Sequence, residues 1–172
     1  MSADTIRRIV LLRHAKADWG QETDHERPLA DRGRKDAPVV GRRLAGLGFD
    51  LDLAVCSTAA RTRETWKLAV AELATRPRTV YEERVYEASL GELIAVLNET
   101  PDGVENLLLV GHNPGIHALA DALAGEAEGD ALARMNRSGY PTSGLAVLTF
   151  TGTWKSVEHG VGTLVDFWSP HS

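Results

Sequence analysis

The chain has 172 residues, of which 43% are hydrophobic and 25% are charged, and its formal net charge at pH 7 is −5. These values are typical of a globular protein with one domain, residues 1–172, and they exclude a general nucleic-acid binder, which needs a broad basic face. No apolar stretch approaches the roughly 20 residues of a membrane span, and the N-terminus lacks a signal peptide's basic start and apolar core, so we expect a cytoplasmic protein without membrane contact.

Apolar runs and helix signals alternate along the chain. The predicted elements are a strand at 6–13, a helix at 32–47 ended by Gly48, a strand at 53–56, a helix at 60–74, a short strand at 79–82, a helix at 90–99, a strand at 107–110, a helix at 114–124, and strands at 144–150 and 162–168. Residues 125–139 are expected to hold a short helix with mobile ends. The last two strands are consistent with a hairpin at a sheet edge.

This alternation predicts an α/β fold. We expect a three-layer sandwich with a mostly parallel central sheet, helices on both faces and an antiparallel edge near the C-terminus.

Two histidines follow the carboxyl ends of predicted buried strands. The first strand leads into Arg13 and His14, and the strand at 107–110 leads into Gly111 and His112. Because ligands bind outside the carboxyl ends of such strands, the two histidines are expected to face one another across one crevice. A neutral imidazole held at one nitrogen is a nucleophile at the other, and the planar fork of Arg13 suits phosphate oxygens.

The loop after the second strand adds two polar candidates. Ser57 or Thr58 is expected to cap the following helix, and Arg61 in its first turn is placed to clamp an anion. Cys56 is the single cysteine, which excludes an intrachain disulfide and fits a reducing compartment. Only four residues separate Cys56 from Arg61, where a cysteine phosphatase needs five, and its apolar neighbours predict an unreactive thiol. We therefore reject a cysteine mechanism.

A metal site at the two histidines is the poorer hypothesis. His14 and His112 have no third ligand at a recognisable spacing, and the nearby arginines would repel a cation. No metal or other cofactor is expected.

Together these motifs resemble the histidine phosphatase superfamily, the phosphoglycerate-mutase-like proteins. The resemblance rests on Leu11-Leu12-Arg13-His14-Ala15, on Ser57 with Arg61-Thr62, and on Val110-Gly111-His112. The finer resemblance is to the SixA-like phosphohistidine phosphatases, and it rests on Arg13-His14-Ala15-Lys16 through Trp19, on Arg27-Pro28-Leu29 with Arg32-Gly33, and on Gly111-His112-Asn113-Pro114-Gly115. The family's usual Arg-His-Gly reads Arg-His-Ala here.

The resemblance implies a mechanism for these residues. It implies that His14 attacks phosphorus and forms a phosphohistidine intermediate, which water then hydrolyses. Arg13, Arg61 and His112 are implied to surround the phosphoryl oxygens, so that positioning and charge perform the catalysis without a metal. The further candidates for substrate binding are Ser57, Asn113 and Lys16.

Many members of the superfamily carry an acid that protonates the leaving group. The segment Val85-Tyr86-Glu87-Ala88-Ser89-Leu90-Gly91 resembles that region and indicates Glu87, with Glu83 as the second choice and a surface glutamate as the alternative. The nitrogen of a phosphoramidate is readily protonated, whereas an alkyl ester needs the acid more.

The favoured partner is a protein that carries phosphohistidine. The alternatives are small phosphorylated metabolites and, in a different class, a non-catalytic phosphate-binding protein, which ranks lower because His14 and its neighbours are intact. Arg27 and Arg32 are expected to shape the loop before the first helix, with contact to acidic groups of a phosphoprotein as the alternative. The other basic residues up to Arg43 are expected to lie on solvated helix faces. The four tryptophans are expected to be core or rim aromatics. The sequence predicts no oligomeric state.

Overall fold

A computed structural model describes residues 5–20 and 22–171 of the chain. Residues 1–4 lie outside the described range, so the expectation that the N-terminus lacks a signal peptide stays a prediction. Seven strands are found in the described part: β1 (Ile6–Arg13), β2 (Leu53–Ser57), β3 (Arg78–Glu82), β4 (Asn106–Gly111), β5 (Ala124–Ala127), β6 (Leu145–Thr151) and β7 (Gly162–Trp168). The α-helices there are α1 (Asp31–Ala45), α2 (Ala60–Val70), α3 (Leu90–Asn98), α4 (Gly115–Leu123) and α5 (Ala131–Ser138).

The strands form one mixed sheet in the order β3-β2-β4-β1-β6-β7-β5. Among these described strands, β6 alone runs against the others. The central strand β1 is apolar on both sides: Ile9 and Leu11 enter one hydrophobic cluster, and Val10 and Leu12 enter the other. This is the pattern of a strand covered on both faces, because successive side chains point to opposite sides of a sheet.

Helices cover both faces of the sheet. Helices α1 and α2 pack against each other on one face, where Val40 and Trp66 join the cluster of Val10. Helices α3, α4 and α5 contribute to the cluster of Leu11 on the other face, for example through Leu93 and Met135. The predicted three-layer α/β fold with a mostly parallel sheet is therefore confirmed.

Two predicted helix ends were wrong. Helix α1 ends at Ala45 with Gly46 as its C-cap, and Gly48 lies beyond it at a φ of 89°. Helix α2 ends at Val70 rather than at residue 74. The chain must become extended before Pro77 to enter β3, and the residue before a proline is disfavoured in a helix.

The antiparallel pairing predicted near the C-terminus is confirmed as the hairpin β6–β7, although the outermost strand on that side is β5. Strand β5 pairs in parallel with the outer side of β7. A Cβ atom on Gly125 would lie 2.2 Å from the carbonyl oxygen of Gly160, so this close backbone approach requires glycine. Residues 124–127 lack the β-branched side chains that usually indicate a strand. The helix expected within residues 125–139 is confirmed as α5.

The strand pairing brings the predicted site to one edge of the sheet. In the parallel pairing of β1 with β4, Arg13 lies opposite Gly111, and in that of β2 with β4, Cys56 lies opposite Val110. The residues that follow these three strands therefore meet outside the same edge. In the described part of the chain, no helix is long and apolar enough to cross a membrane.

The loop after His14 is held by a tight contact with α1. The carbonyl oxygen of Lys16 accepts a hydrogen bond of 2.9 Å from the amide of Ala30, and a Cβ atom on Gly33 would lie 2.1 Å from that oxygen. Since the oxygen belongs to the backbone, a larger residue at position 33 must displace the loop beside the site.

Gly33→Ala is expected to lower the free energy of unfolding by about 1–3 kcal/mol, the usual cost of overpacking, in urea denaturation. Gly91→Ala is the matched control, because position 91 is also helical but an added Cβ meets nothing within 4 Å. That control is expected to leave stability unchanged or raise it by up to about 1 kcal/mol. Equal stability of the two variants would contradict the proposed contact.

Candidate active site

His14 follows β1 and is 7% exposed. Its Nδ1 lies 2.7 Å from the carbonyl oxygen of Ala15. A carbonyl oxygen only accepts hydrogen bonds, so the proton of the neutral ring is on Nδ1 and the lone pair is on Nε2. The residue therefore presents an unprotonated nitrogen, which is the form that a nucleophile requires.

The surroundings keep the His14 ring neutral. Burial, together with the positive charges of Arg13, Arg61 and Arg27, lowers the pKa of His14 to about 3, against the opposing effect of the hydrogen bond to the Ala15 carbonyl. An imidazolium in this place would be desolvated and would stand among cations.

His112 follows β4, and its ring centroid lies 5.3 Å from that of His14. Burial, followed by the electrostatic effects of the His14 ring and of Arg61, lowers the pKa of His112 to about 3. Its Nε2 lies 2.7 Å from the Oγ of Ser57, and that Oγ accepts a hydrogen bond of 3.3 Å from the amide of Ala59. The Ser57 hydroxyl is thus free to donate to Nε2, which leaves the ring proton on Nδ1.

The Nδ1 atom of His112 is buried without a hydrogen-bond partner among the described residues. It is therefore an available donor beside His14. The predicted helix cap was wrong: Ala59 occupies the N-cap of α2 without a side-chain hydrogen bond, and Ser57 instead orients His112.

Two arginines lie beside the histidine pair. Arg13 donates from Nη1 to the carbonyl oxygen of Tyr140 at 3.1 Å, and burial together with the charge of Arg61 lowers the pKa of Arg13. Arg61 is 7% exposed and donates to Asp24, through Nη1 to the carbonyl oxygen at 2.7 Å and through Nη2 to Oδ2 at 3.2 Å. The Nε atoms of both arginines are buried without a partner within the described residues. This arrangement favours an anion next to a neutral nucleophile.

Asp24 and Tyr86 belong to the site although sequence reasoning did not select them. The Tyr86 hydroxyl donates to Oδ2 of Asp24 at 2.6 Å, which lowers the pKa of Asp24 and raises that of Tyr86 to about 12. The Tyr86 ring also packs edge-on against His112, with centroids 5.6 Å apart. Tyr86 was adjacent to the candidate Glu87, whereas nothing in the sequence around Asp24 indicated a contact with Arg61.

A cavity of about 360 Å³ adjoins His112, one of the two site histidines. Glu87 is exposed, lines this cavity and adopts a φ of 55°, in the left-handed region that L-residues rarely occupy. Glu83 is also exposed, but it is not one of the lining residues. The remaining lining residues are Asp24, Arg61, Val85, Tyr86, Ala88, Leu93, His112, Asn113, Pro114, Gly115 and Ile116.

The side-chain amide of Asn113 is hydrogen-bonded to backbone groups of the protein. Its Nδ2 donates to the carbonyl oxygens of Gly139 at 3.2 Å and Tyr140 at 3.0 Å, while Oδ1 accepts from the amide of His117 at 3.3 Å. Asn113 therefore ties the start of α4 to the segment before β6. The side chain of Lys16 is exposed, and its backbone carbonyl anchors the loop after His14.

Cys56 is fully buried in the core, and burial raises the pKa of its thiol to about 12. The rejection of a cysteine nucleophile is consistent with this environment. Among the residues that the structure describes, no group of three or more His, Cys, Asp or Glu side chains is arranged to hold a metal ion.

Comparison with known proteins finds similarity over nearly the whole chain. The profile of the histidine phosphatase superfamily (branch 1) matches residues 9–96. The uncharacterized protein Rv1276c of Mycobacterium tuberculosis is 40% identical over 161 residues, which cover 92% of this chain and 99% of that protein.

Two solved structures share the fold. A protein of Agrobacterium tumefaciens, provisionally assigned as a phosphohistidine phosphatase SixA, is 34% identical with a TM-score of 0.80 over 95% of this chain and 98% of that one. A protein of Nakamurella multipartitia with the same provisional assignment is 28% identical with a TM-score of 0.84, over 97% and 98% of the two chains.

Three findings agree with the geometry of the site. They are the profile match, the similarity to the mycobacterial protein over 99% of its length, and the fold shared with the two solved structures. The chain belongs to the histidine phosphatase superfamily, branch 1, and the activity that this membership supports is that of a phosphatase.

Proposed function

We propose that this phosphatase works through a phosphohistidine intermediate on His14 and removes phosphate from phosphohistidine in proteins. The observation that carries the proposal is the protonation state of His14. Its Nδ1 is hydrogen-bonded to the Ala15 carbonyl at 2.7 Å, so its Nε2 keeps a lone pair. Positive charge for the phosphoryl group comes from Arg13 and Arg61, so the proposed reaction requires no metal.

In the first step, Nε2 of His14 attacks phosphorus and the P–N bond to the substrate imidazole breaks. The leaving nitrogen takes a proton, for which Glu87 is the proposed donor. The phosphoryl oxygens accept hydrogen bonds, which stabilise their charge. The donors are the unpaired Nδ1–H of His112 and the guanidinium groups of Arg13 and Arg61. Ser57 acts indirectly, because its hydrogen bond sets which nitrogen of His112 carries the proton.

In the second step, water attacks phosphorus and the P–Nε2 bond to His14 breaks. The carboxylate of Glu87 takes a proton from the attacking water, and inorganic phosphate leaves. His14 returns to its neutral form with the proton still on Nδ1, so the cycle balances in atoms and charge.

The cavity beside His112 and Arg61 is the proposed place for the leaving group. Its volume is at the lower end of the roughly 300–1,000 Å³ range of ligand pockets, and Leu93 and Ile116 contribute apolar surface. Asp24 and Glu87 add carboxylates to its lining. This combination favours a flat, neutral imidazole over a leaving group that is itself an anion.

The provisional assignment of the Agrobacterium and Nakamurella proteins as phosphohistidine phosphatases supports the same substrate class. The second candidate is a phosphatase for small phosphorylated metabolites. The position of Glu87 in the cavity lining favours it, because alkyl esters need an acid for their leaving oxygen.

His14→Ala is expected to lower turnover of a phosphohistidine protein by about 10⁴-fold or more, because the variant lacks the nucleophile. His159→Ala, which changes an exposed histidine, is the control and is expected to keep wild-type turnover. Quenched wild-type protein is expected to carry acid-labile, base-stable phosphate that is absent from His14→Ala. Full turnover by His14→Ala would refute the mechanism.

Glu87→Gln separates the two substrate classes. We expect the rate of phosphoenzyme formation from an alkyl phosphate, measured in a single turnover, to fall by at least about 10²-fold and that from phosphohistidine to fall much less, since the imidazole nitrogen is protonated easily. Glu83→Gln is the matched control, because Glu83 is an exposed glutamate outside the cavity lining. A wild-type preference for alkyl esters would favour the metabolite phosphatase, and unchanged phosphoenzyme formation from the alkyl phosphate would contradict the assigned acid.

Both site histidines are expected to stay neutral from pH 8 to pH 5, because their pKa values lie at about 3 rather than at 6.5. The ring C–H resonances, assigned by single variants in NMR spectra, are expected not to shift across this range. The free energy of unfolding is expected to decrease as the pH falls below about 6.5, since the unfolded histidines bind protons there and the folded ones do not. Titration of either ring near pH 6.5 would contradict the description of the site.

A further inference from the structure

A third arginine, Arg27, contacts the same carboxylate as Arg61. The side chain of Arg27 is 11% exposed, and its Nη1 lies 3.5 Å from Oδ1 of Asp24. The other carboxylate oxygen of Asp24 pairs with Arg61 at 3.2 Å. Arg27 and Arg61 therefore flank one carboxylate, and the charge of Arg27 lowers the pKa of His14 together with those of Arg13 and Arg61.

The donor capacity of Arg27 is not satisfied by the protein. Its Nε is buried and has no hydrogen-bond partner among the described residues, like the Nε atoms of Arg13 and Arg61. A buried donor without a partner is costly, so its presence calls for an acceptor. Three such guanidinium groups around His14 match an acceptor with several charged oxygens.

Trp19 stacks on this arginine from the solvent side. The Arg27 Cζ lies 3.9 Å from the centroid of the Trp19 ring, and Trp19 is 78% exposed. The tryptophans were predicted to be core or rim residues, and Trp19 is a rim residue. A largely exposed indole gains little from burial, and its close contact is with the guanidinium plane.

A short antiparallel pairing holds the two residues together. Ala17 forms a β-bridge with Leu29, the amide of Asp18 donates to the carbonyl of Pro28 at 2.9 Å, and Leu29 is fully buried. The segments that carry Trp19 and Arg27 are thus fixed relative to each other and to the core. The guanidinium is held in position before any ligand arrives.

We propose that Arg27 is a further phosphoryl-binding residue of this site and that Trp19 is a positioning residue that holds its guanidinium plane. The inference rests on the proposed function, because it assigns these residues to the same phosphoryl group. The indole fixes the direction of the planar fork, and the fork supplies a third set of charge-assisted hydrogen bonds to the phosphoryl oxygens.

The test is binding of inorganic phosphate, measured by calorimetry in proteins that also carry His14→Ala, so that no turnover contributes. Arg27→Met is expected to weaken binding by about 10- to 100-fold, the effect of losing a hydrogen bond to a charged group. Arg27→Lys is expected to recover only part of the affinity, because lysine keeps the charge without the planar fork. Arg32→Met is the matched control, since the Arg32 side chain is 59% exposed and pairs with Asp36 at 3.6 Å, and this variant is expected to bind as the parent does.

Trp19→Ala is expected to weaken phosphate binding by about two- to fivefold, and Trp19→Phe, which keeps an aromatic face, by less. In the presence of Arg27→Met, the effect of Trp19→Ala is expected to disappear, because the two residues act as one unit. A merely structural role of Trp19 would give the same loss in both backgrounds and would overturn its assignment.

Unchanged phosphate affinity in Arg27→Met, or no measurable binding by the parent protein, would overturn the assignment of Arg27. This outcome is distinct from failure of the proposed function. Phosphate binding that depends on Arg27 without any phosphoenzyme in the wild type would keep the inference and refute the mechanism.

Discussion

The parallel pairing of β1 with β4 is the constraint on which the site depends. It sets Arg13 opposite Gly111, and the amide of His14 donates to the Gly111 carbonyl at 3.1 Å. From the other side, the amide of Ser143 donates to the carbonyl oxygens of Arg13 and His14 at 3.1 and 3.0 Å. Ile9 and Leu11 pack in one hydrophobic cluster and Val10 and Leu12 in the other, so a slip of one residue would exchange the side chains of two close-packed clusters, and this fixes the register.

The site places neutral rings among cations. His14 and His112 stay uncharged because burial penalises their protonated forms, while Arg13, Arg27 and Arg61 keep the area positive. Asp24 offsets part of this charge from the side, and it is half exposed and engaged by Arg61 and Tyr86. An anion with several oxygens satisfies the remaining donors, which explains why a phosphoryl group suits this arrangement.

Alanine after the site histidine has a packing explanation. Ala15 is fully buried and joins Leu29 and Ala37 in a small apolar cluster, while its amide donates to the Thr65 hydroxyl at 3.0 Å. Its methyl group fills space between the loop and α1, and its carbonyl still accepts from His14. The same cluster anchors the segment that carries Arg27, so the loop that bears the third arginine and the loop that follows the nucleophile form one unit.

The amino-acid sequence by itself determined the α/β class, the central strands and the residues that stand at their carboxyl ends. Those features follow from local patterns, since continuous apolar runs define the buried strands and the polar residue after each run is read directly. Arg13, His14 and His112 were predicted in this way, and Arg61 was predicted from its place in the first turn of the next helix. The structure places the two histidine rings 5.3 Å apart, with both arginines close enough to affect the pKa of His112.

Tertiary structure decided what depends on contacts between distant segments. No local sequence pattern indicates three of these features. They are the pairing of Asp24 with Arg61 and Tyr86, the contact of Ser57 with His112, and the edge position of β5. The stacking of Trp19 on Arg27 is of the same kind, because it requires two loops that approach only after Leu29 enters the core. Local patterns indicate which residues leave the sheet at one edge, whereas the distances and protonation states that make them a site arise only when the chain is packed.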